Sequence, residues 1–131
     1  MLDYQQFTIL IIEDDIHTRA LIRRMLLQIG LRSIVEAPDG RAGYAELLRT
    51  RPDLVLCDVH MEPVGGRAFL HQLREAKLPG IAQTPVIFLT GDAQRDTVLF
   101  AKEHAINGYL VKPVSLADLK SRIDAVLAPA S

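Results

Sequence analysis

Four short polar stretches of this chain could act together in chemistry: Glu13-Asp14-Asp15, Asp58, Thr90-Gly91 and Lys112-Pro113. Each follows directly on an apolar run, respectively Ile9 to Ile12, Leu54 to Cys57, Val86 to Leu89 and Tyr109 to Val111. Carboxylates gathered within a few ångströms repel, and one takes up a proton unless a cation intervenes. A hard, oxygen-preferring divalent ion relieves that repulsion. Mg²⁺ uses one or two carboxylates, keeps several waters and completes its shell with phosphate oxygens. An ammonium at Lys112 and a hydroxyl at Thr90 suit a phosphoryl group. A carboxylate is also a nucleophile for phosphoryl transfer, giving an acyl phosphate. Each stretch has a plainer reading when taken alone. The acidic triplet can be a solvated turn with Asp15 as a helix N-cap, Asp58 a loop cap, Lys112 a snorkelling strand end, and Thr90 an ordinary strand residue. It is their joint occurrence that points to a site.

The surrounding pattern says how they could meet. Five apolar runs have strand length and little polar alternation: Phe7 to Ile12, Ser33 to Ala37, Leu54 to Cys57, Val86 to Leu89 and Tyr109 to Val111. Strands buried on both faces read this way. Between and after them lie five helical patterns: Thr18 to Ile29 with Gly30 as its stop, Arg41 to Thr50, Arg67 to Lys77, Arg95 to His104, and Ser115 to Leu127. The last opens on Ser115-x-x-Asp118, a relative of the capping box. Strand and helix alternate five times. That predicts an α/β fold: a doubly wound five-stranded parallel sheet in the flavodoxin-like order 2-1-3-4-5, with helices on both faces. Ligands of such sheets bind at the carboxyl ends of the strands where the order reverses, here between strands one and three. All four polar stretches fall on that edge.

Composition narrows the classes. The 131 residues suit one domain, expected to span 1–131 with a core of about 7–128. With 49% hydrophobic and 24% charged residues the chain reads as globular. Lysine plus arginine number 15 against 16 acids, for a net charge of -1, which argues against nucleic-acid or polybasic membrane binding. The lone Cys57 excludes an internal disulfide and a cysteine-rich zinc site. No targeting segment or membrane span is legible, so a cytoplasmic location is expected. His17, His60, His71 and His104 lack zinc-binding spacing, and no P-loop or Gly-x-Gly-x-x-Gly follows strand one.

With the four stretches in this order, the chain from about Thr8 to Leu127 resembles the receiver domains of bacterial two-component response regulators, the single-domain chemotaxis regulators among them. The resemblance implies roles residue by residue. Asp58 matches the phosphoacceptor. Asp14 matches the direct ligand of Mg²⁺, Glu13 its neighbour that acts through water, and His60 the residue whose backbone carbonyl joins the metal shell. Thr90 matches the switch hydroxyl and Tyr109 the aromatic whose rotamer follows it. Gly91 fits the small residue that leaves room for the phosphoryl group, and Lys112 the lysine that pairs with it. Pro113 follows a peptide bond that is cis in the family. The phosphoryl group comes from a histidine kinase or a histidine phosphotransfer protein.

The match departs after strand three. The family's stretch reads Met-Pro, two residues, then Asp-Gly, whereas this chain has Met61-Glu62-Pro63-Val64-Gly65-Gly66. His60 and Asp92 stand two residues past Asp58 and Thr90, at places that tune phosphoryl lifetime in the family. The function implied is a phosphorylation-activated switch that performs only its own Mg²⁺-dependent phosphorylation and dephosphorylation. A downstream protein target would read the surface of helix four, strand five and helix five, with Leu99 or Phe100 beside Tyr109 forming an apolar patch. The expected state is a monomer or a phosphorylation-dependent dimer. The rival reading is a metal-dependent phosphohydrolase with an aspartyl nucleophile. Its usual Asp-x-Asp is here Asp58-Val59-His60, and no cap domain is available.

Overall fold

A computed structural model describes residues 2–91 and 106–128. The strands are β1 (Thr8–Ile12), β2 (Ser33–Ala37), β3 (Leu54–Asp58), β4 (Val86–Thr90) and β5 (Gly108–Val111). They form one parallel sheet in the order β2-β1-β3-β4-β5. The helices are α1 (Ile16–Ile29), α2 (Gly40–Thr50), α3 (Gly66–Arg74) and α4 (Leu116–Leu127). A short 3₁₀ turn, Tyr4–Gln6, precedes β1. The helix expected over 95–104, and with it Asp92, Leu99, Phe100 and His104, lies outside the described residues.

Alternation along the strands divides the core in two. Leu10, Ile12, Val55, Cys57, Val86 and Phe88 face α2 and α3, where they meet Leu47, Phe69, Leu70 and Leu73. Ile9, Ile11, Leu54, Leu56, Ile87 and Leu89 face α1 and α4, packing on Ile22, Leu26, Leu119 and Ile123. Helices thus cover both faces, which is why β1, β3 and β4 read as unbroken apolar runs. Truncating one of these buried leucines to alanine costs about 2–5 kcal/mol, so either layer is worth more than any surface contact.

Local chemistry sets the element ends. Asp15 caps α1, its carboxylate accepting from the amides of His17 and Thr18 and from the Thr18 hydroxyl. Helix α1 therefore starts two residues before the expected Thr18. Those bonds also hold the Asp15 carboxyl below its usual range, the Thr18 hydroxyl first among them. Gly30 ends α1 with φ of 125°, a conformation that favours glycine. Asp39 caps α2, and Ser115 Oγ accepts from the Asp118 amide at 3.1 Å to open α4. Helix α3 ends at Arg74, not Lys77, because the chain tightens there: the Ala76 amide bonds the Leu73 carbonyl at 3.2 Å.

Two features hold the ends of the sheet. At the amino edge the Tyr4 hydroxyl donates to Asp124 Oδ1 at 2.6 Å, tying the chain start to α4. At the carboxyl edge α3 begins hard against β3. The Gly66 amide donates to the Val59 carbonyl at 2.9 Å. A Cβ at Gly66 would collide with the Asp58 carbonyl oxygen and lie 3.0 Å from Val59 Cα. Only glycine allows that approach, and the approach fixes where Asp58 sits.

Candidate functional site

The four strands that end in chemistry are consecutive in the sheet. β1 delivers Glu13 and Asp14, β3 delivers Asp58, and β4 and β5 deliver Thr90 and Lys112. Register keeps the last two together, since Thr90 pairs with Val111 and the Lys112 amide donates to the Thr90 carbonyl at 2.8 Å. The site lies at the carboxyl edge between β1 and β3, where the strand order reverses.

Glu13, Asp14 and Asp58 each offer a carboxylate oxygen within 4.8 Å of the others. Glu13 is fully buried and Asp58 is 5% exposed, whereas Asp14 is exposed to solvent. Lys112 Nζ lies 2.5 Å from Glu13 Oε1 and 3.3 Å from Asp58 Oδ2. Burial, then the nearby Asp58 carboxylate, push the Glu13 carboxyl up to about 7 against the opposing pull of Lys112. For Lys112, burial lowers the ammonium's pKa, but Glu13 and Asp58 outweigh it and leave it raised. Glu13 Oε2 is buried with no hydrogen-bond donor among the described residues. The neighbouring Asp58 carboxylate only accepts while ionised and so supplies none.

Those features fit a hard divalent cation. The donor set is all oxygen, the orphaned carboxylate oxygen lacks a partner, and the negative charge exceeds what one lysine neutralises. An open cleft of about 290 Å³ lined by Asp14, Val59, His60, Met61 and Glu62 leads to the acids. The His60 amide reaches back to Asp58 Oδ1 at 3.4 Å, and the His60 side chain is exposed in the cleft. Thr90 is 1% exposed. Gly91 is exposed, and a methyl group there would meet nothing within 4 Å among the described residues. The Lys112–Pro113 peptide is cis, and so is Glu62–Pro63 in the loop where the sequence departs from the family pattern. Tyr109 is 37% exposed and borders a separate groove with Val111, Asp118 and Arg122. Cys57 is buried, its thiol pushed well up first by burial and then by the charges of Asp58 and Glu13, so it is inert core.

Two contributors escaped the sequence reading. Arg19 on α1 donates from Nη1 to the Glu13 carbonyl oxygen at 2.7 Å. Gly66 supports Asp58 from behind through backbone contact. Neither shows in the side chains that carry the chemistry. The only cue for Arg19 was a long cation one turn into the helix after the acids.

Comparison with known proteins agrees with this geometry. Residues 9–124 match the response regulator receiver domain family. The chemotaxis protein CheY-3 of Vibrio cholerae is 30% identical over 118 residues, covering 90% of this chain and 89% of CheY-3. The solved structure of CheY4 from Vibrio cholerae superposes with a TM-score of 0.83 at 26% identity, covering 92% of this chain and 98% of CheY4. The Mn²⁺-bound form of the response regulator Rcp1 superposes with a TM-score of 0.77 at 26% identity, covering 95% and 97%. No helix among the described residues is long and apolar enough to cross a membrane. A parallel sheet in this order, an acidic cluster at its switch point and a match over most of the sequence lead to one conclusion: the chain belongs to the response regulator receiver domain family of two-component signalling, whose members are CheY-like signalling modules and not classical enzymes.

Proposed function

We propose that this chain is a phosphorylation-activated switch in which Asp58 accepts a phosphoryl group from a histidine kinase or a histidine phosphotransfer protein. The observation that carries the reading is the convergence of Lys112 with Glu13, Asp14 and Asp58, carboxylate oxygens of the three acids lying within 4.8 Å of one another. An oxygen of the Asp58 carboxylate forms the new bond to phosphorus as the bond from phosphorus to the donor imidazole nitrogen breaks. The imidazole leaves with the electron pair. Asp58 suits the acceptor role because it keeps 5% exposure beside Val59 and His60, which line the open cleft, while Glu13 is fully buried.

Glu13, Asp14, Asp58 and the His60 backbone carbonyl are the groups that would hold Mg²⁺. That the response regulator Rcp1 has an Mn²⁺-bound form supports a divalent ion in this chain too. When bound, the ion supplies charge neutralisation for the phosphoryl oxygens. Lys112 pairs with one phosphoryl oxygen, and Gly91 leaves room for the group. The Thr90 hydroxyl bonds another oxygen and draws the end of β4 inward, and Tyr109 follows. A downstream protein reads the resulting change on the surface of the 95–104 segment, β5 and α4. The protein works in the cytoplasm, as a monomer or as a phosphorylation-dependent dimer, without nucleic acid or membrane.

Intact-mass measurement with acetyl phosphate and Mg²⁺ tests the acceptor. Wild type gains one phosphoryl group, and a chelator prevents it. Asp58→Asn gains none, because its amide is not a nucleophile. Equal labelling of that variant would overturn the assignment.

A further inference from the structure

We infer that Arg19 is a positioning residue for the acidic pair Glu13 and Asp14, holding the peptide plane between them in the orientation that the metal site needs. The inference rests on the reading of Glu13 and Asp14 as cation ligands and adds a residue to it.

The Glu13 carbonyl belongs to the rigid peptide plane that ends at the Asp14 nitrogen. Holding that carbonyl oxygen restrains ψ of Glu13 and, through the planar peptide, where Asp14 Cα sits, and so limits how both side chains approach the site. Arg19 Nη1 donates to this oxygen at 2.7 Å. On the other side of the residue, the Glu13 amide donates to the Ala37 carbonyl at 3.0 Å. Both backbone groups of Glu13 are therefore held, one by the end of β2 and one by α1.

Arg19 is itself anchored. Its Nε lies 3.3 Å from Glu36 Oε1, and its side chain is only 19% exposed. Glu36 is also held by Arg23 at 3.4 Å and precedes Ala37 on β2. The contacts close a circuit: Glu13 carbonyl, Arg19, Glu36, Ala37, Glu13 amide. A planar guanidinium can reach a carbonyl and a carboxylate at once, which an ammonium cannot do with the same geometry. Groups that hold metal ligands from behind commonly change affinity about 10- to 100-fold when removed.

Charge and geometry predict opposite signs here. Arg19 is a cation beside a cation site. If it acted through its charge, removing it would tighten metal binding. If it acts through position, removing it weakens binding.

The test titrates the full chain with Mn²⁺ and reads the free ion by electron paramagnetic resonance. Circular dichroism verifies folding. Arg19→Ala should weaken Mn²⁺ binding about tenfold or more. Arg19→Lys keeps the charge and should fall between Arg19→Ala and wild type. Tyr4→Phe serves as a control for general destabilisation, since it removes the 2.6 Å bond to Asp124 at the far edge, and should bind Mn²⁺ as wild type does. Unchanged or tighter binding by Arg19→Ala, with Asp14→Asn still weakened, overturns the role of Arg19 and leaves the metal site standing. Unchanged binding by Asp14→Asn overturns the metal site itself. Should Arg19→Ala not fold, Arg19→Lys decides alone: weaker binding supports the role, and wild-type binding overturns it.

Discussion

Lys112, 99 residues after Glu13 in the chain, places its ammonium closer to that buried acid, at 2.5 Å, than to Asp58, at 3.3 Å. The lysine thus pairs most closely with the carboxylate that solvent cannot reach and more loosely with Asp58. Its own side chain is 25% exposed. The pair is consequently half inside the protein, where neither full burial nor full screening applies.

Removing that ammonium has a two-sided consequence. Lys112→Ala leaves the Glu13 carboxylate buried without a cation. Breaking a fully buried pair costs 3–5 kcal/mol, and the partial exposure of Lys112 reduces this to about 1–3 kcal/mol. Added Mg²⁺ should stabilise wild type and recover much of the variant's loss, because metal binding does not need the lysine. Phosphorylation-dependent change on the β5 surface should weaken. Thermal melts with and without Mg²⁺ test the first part, and amide spectra of the phosphorylated variant test the second.

The raised Glu13 carboxyl predicts how stability varies with pH. Its folded value is about 7 and its ordinary value 4.5, so between these the folded state binds the extra proton. Stability of the metal-free protein should therefore fall as pH rises from about 4.5 through about 7. Mg²⁺ should flatten that slope, since the cation takes the proton's place, and Glu13→Gln should abolish it. Denaturant melts at a series of pH values measure the slope. The same linkage makes the apparent metal affinity rise over this window, as proton release accompanies binding.

Gly66→Ala probes the support behind Asp58. Its new methyl meets the Asp58 carbonyl oxygen and Val59 Cα, which are backbone and cannot rotate away. Overpacking of this kind costs about 1–3 kcal/mol. It should also slow phosphoryl labelling of the folded fraction, because the backbone that carries Asp58 has to move. Chemical melts and labelling rates on the same samples measure the two effects. Loss of stability with an unchanged rate would show that the site tolerates the shift.

Much of this was legible in the sequence because burial leaves a compositional trace. Ile9 to Ile12 and Leu54 to Cys57 are fully buried on both faces, so their runs admit no polar residue. Alternation implied the parallel sheet, five strands suited the order 2-1-3-4-5, and the strand ends then gathered Glu13, Asp14, Asp58, Thr90 and Lys112 at one edge. Contacts to backbone leave no such trace. The Arg19 bond ends on a carbonyl oxygen, which every residue has, and the Gly66 contact depends on the absence of an atom. Nor could residue types say that Lys112 sits nearer Glu13 than Asp58, since either carboxylate would satisfy it equally. The helical periodicity marks α1 only from Thr18, two residues late, whereas Asp15 takes the N-cap place its position suggests.

The proposed switch requires that Asp58 be phosphorylated once, in a pocket completed by a divalent ion. The most direct measurement is fragment mass spectrometry of the wild-type chain after acetyl phosphate and Mg²⁺, with released phosphate followed in the same reaction on a generic phosphate monoester. A single modification is expected on the fragment that contains Asp58, dependent on the metal, with no sustained turnover of the monoester. A modification mapped to another residue, or steady hydrolysis of the monoester, would contradict it.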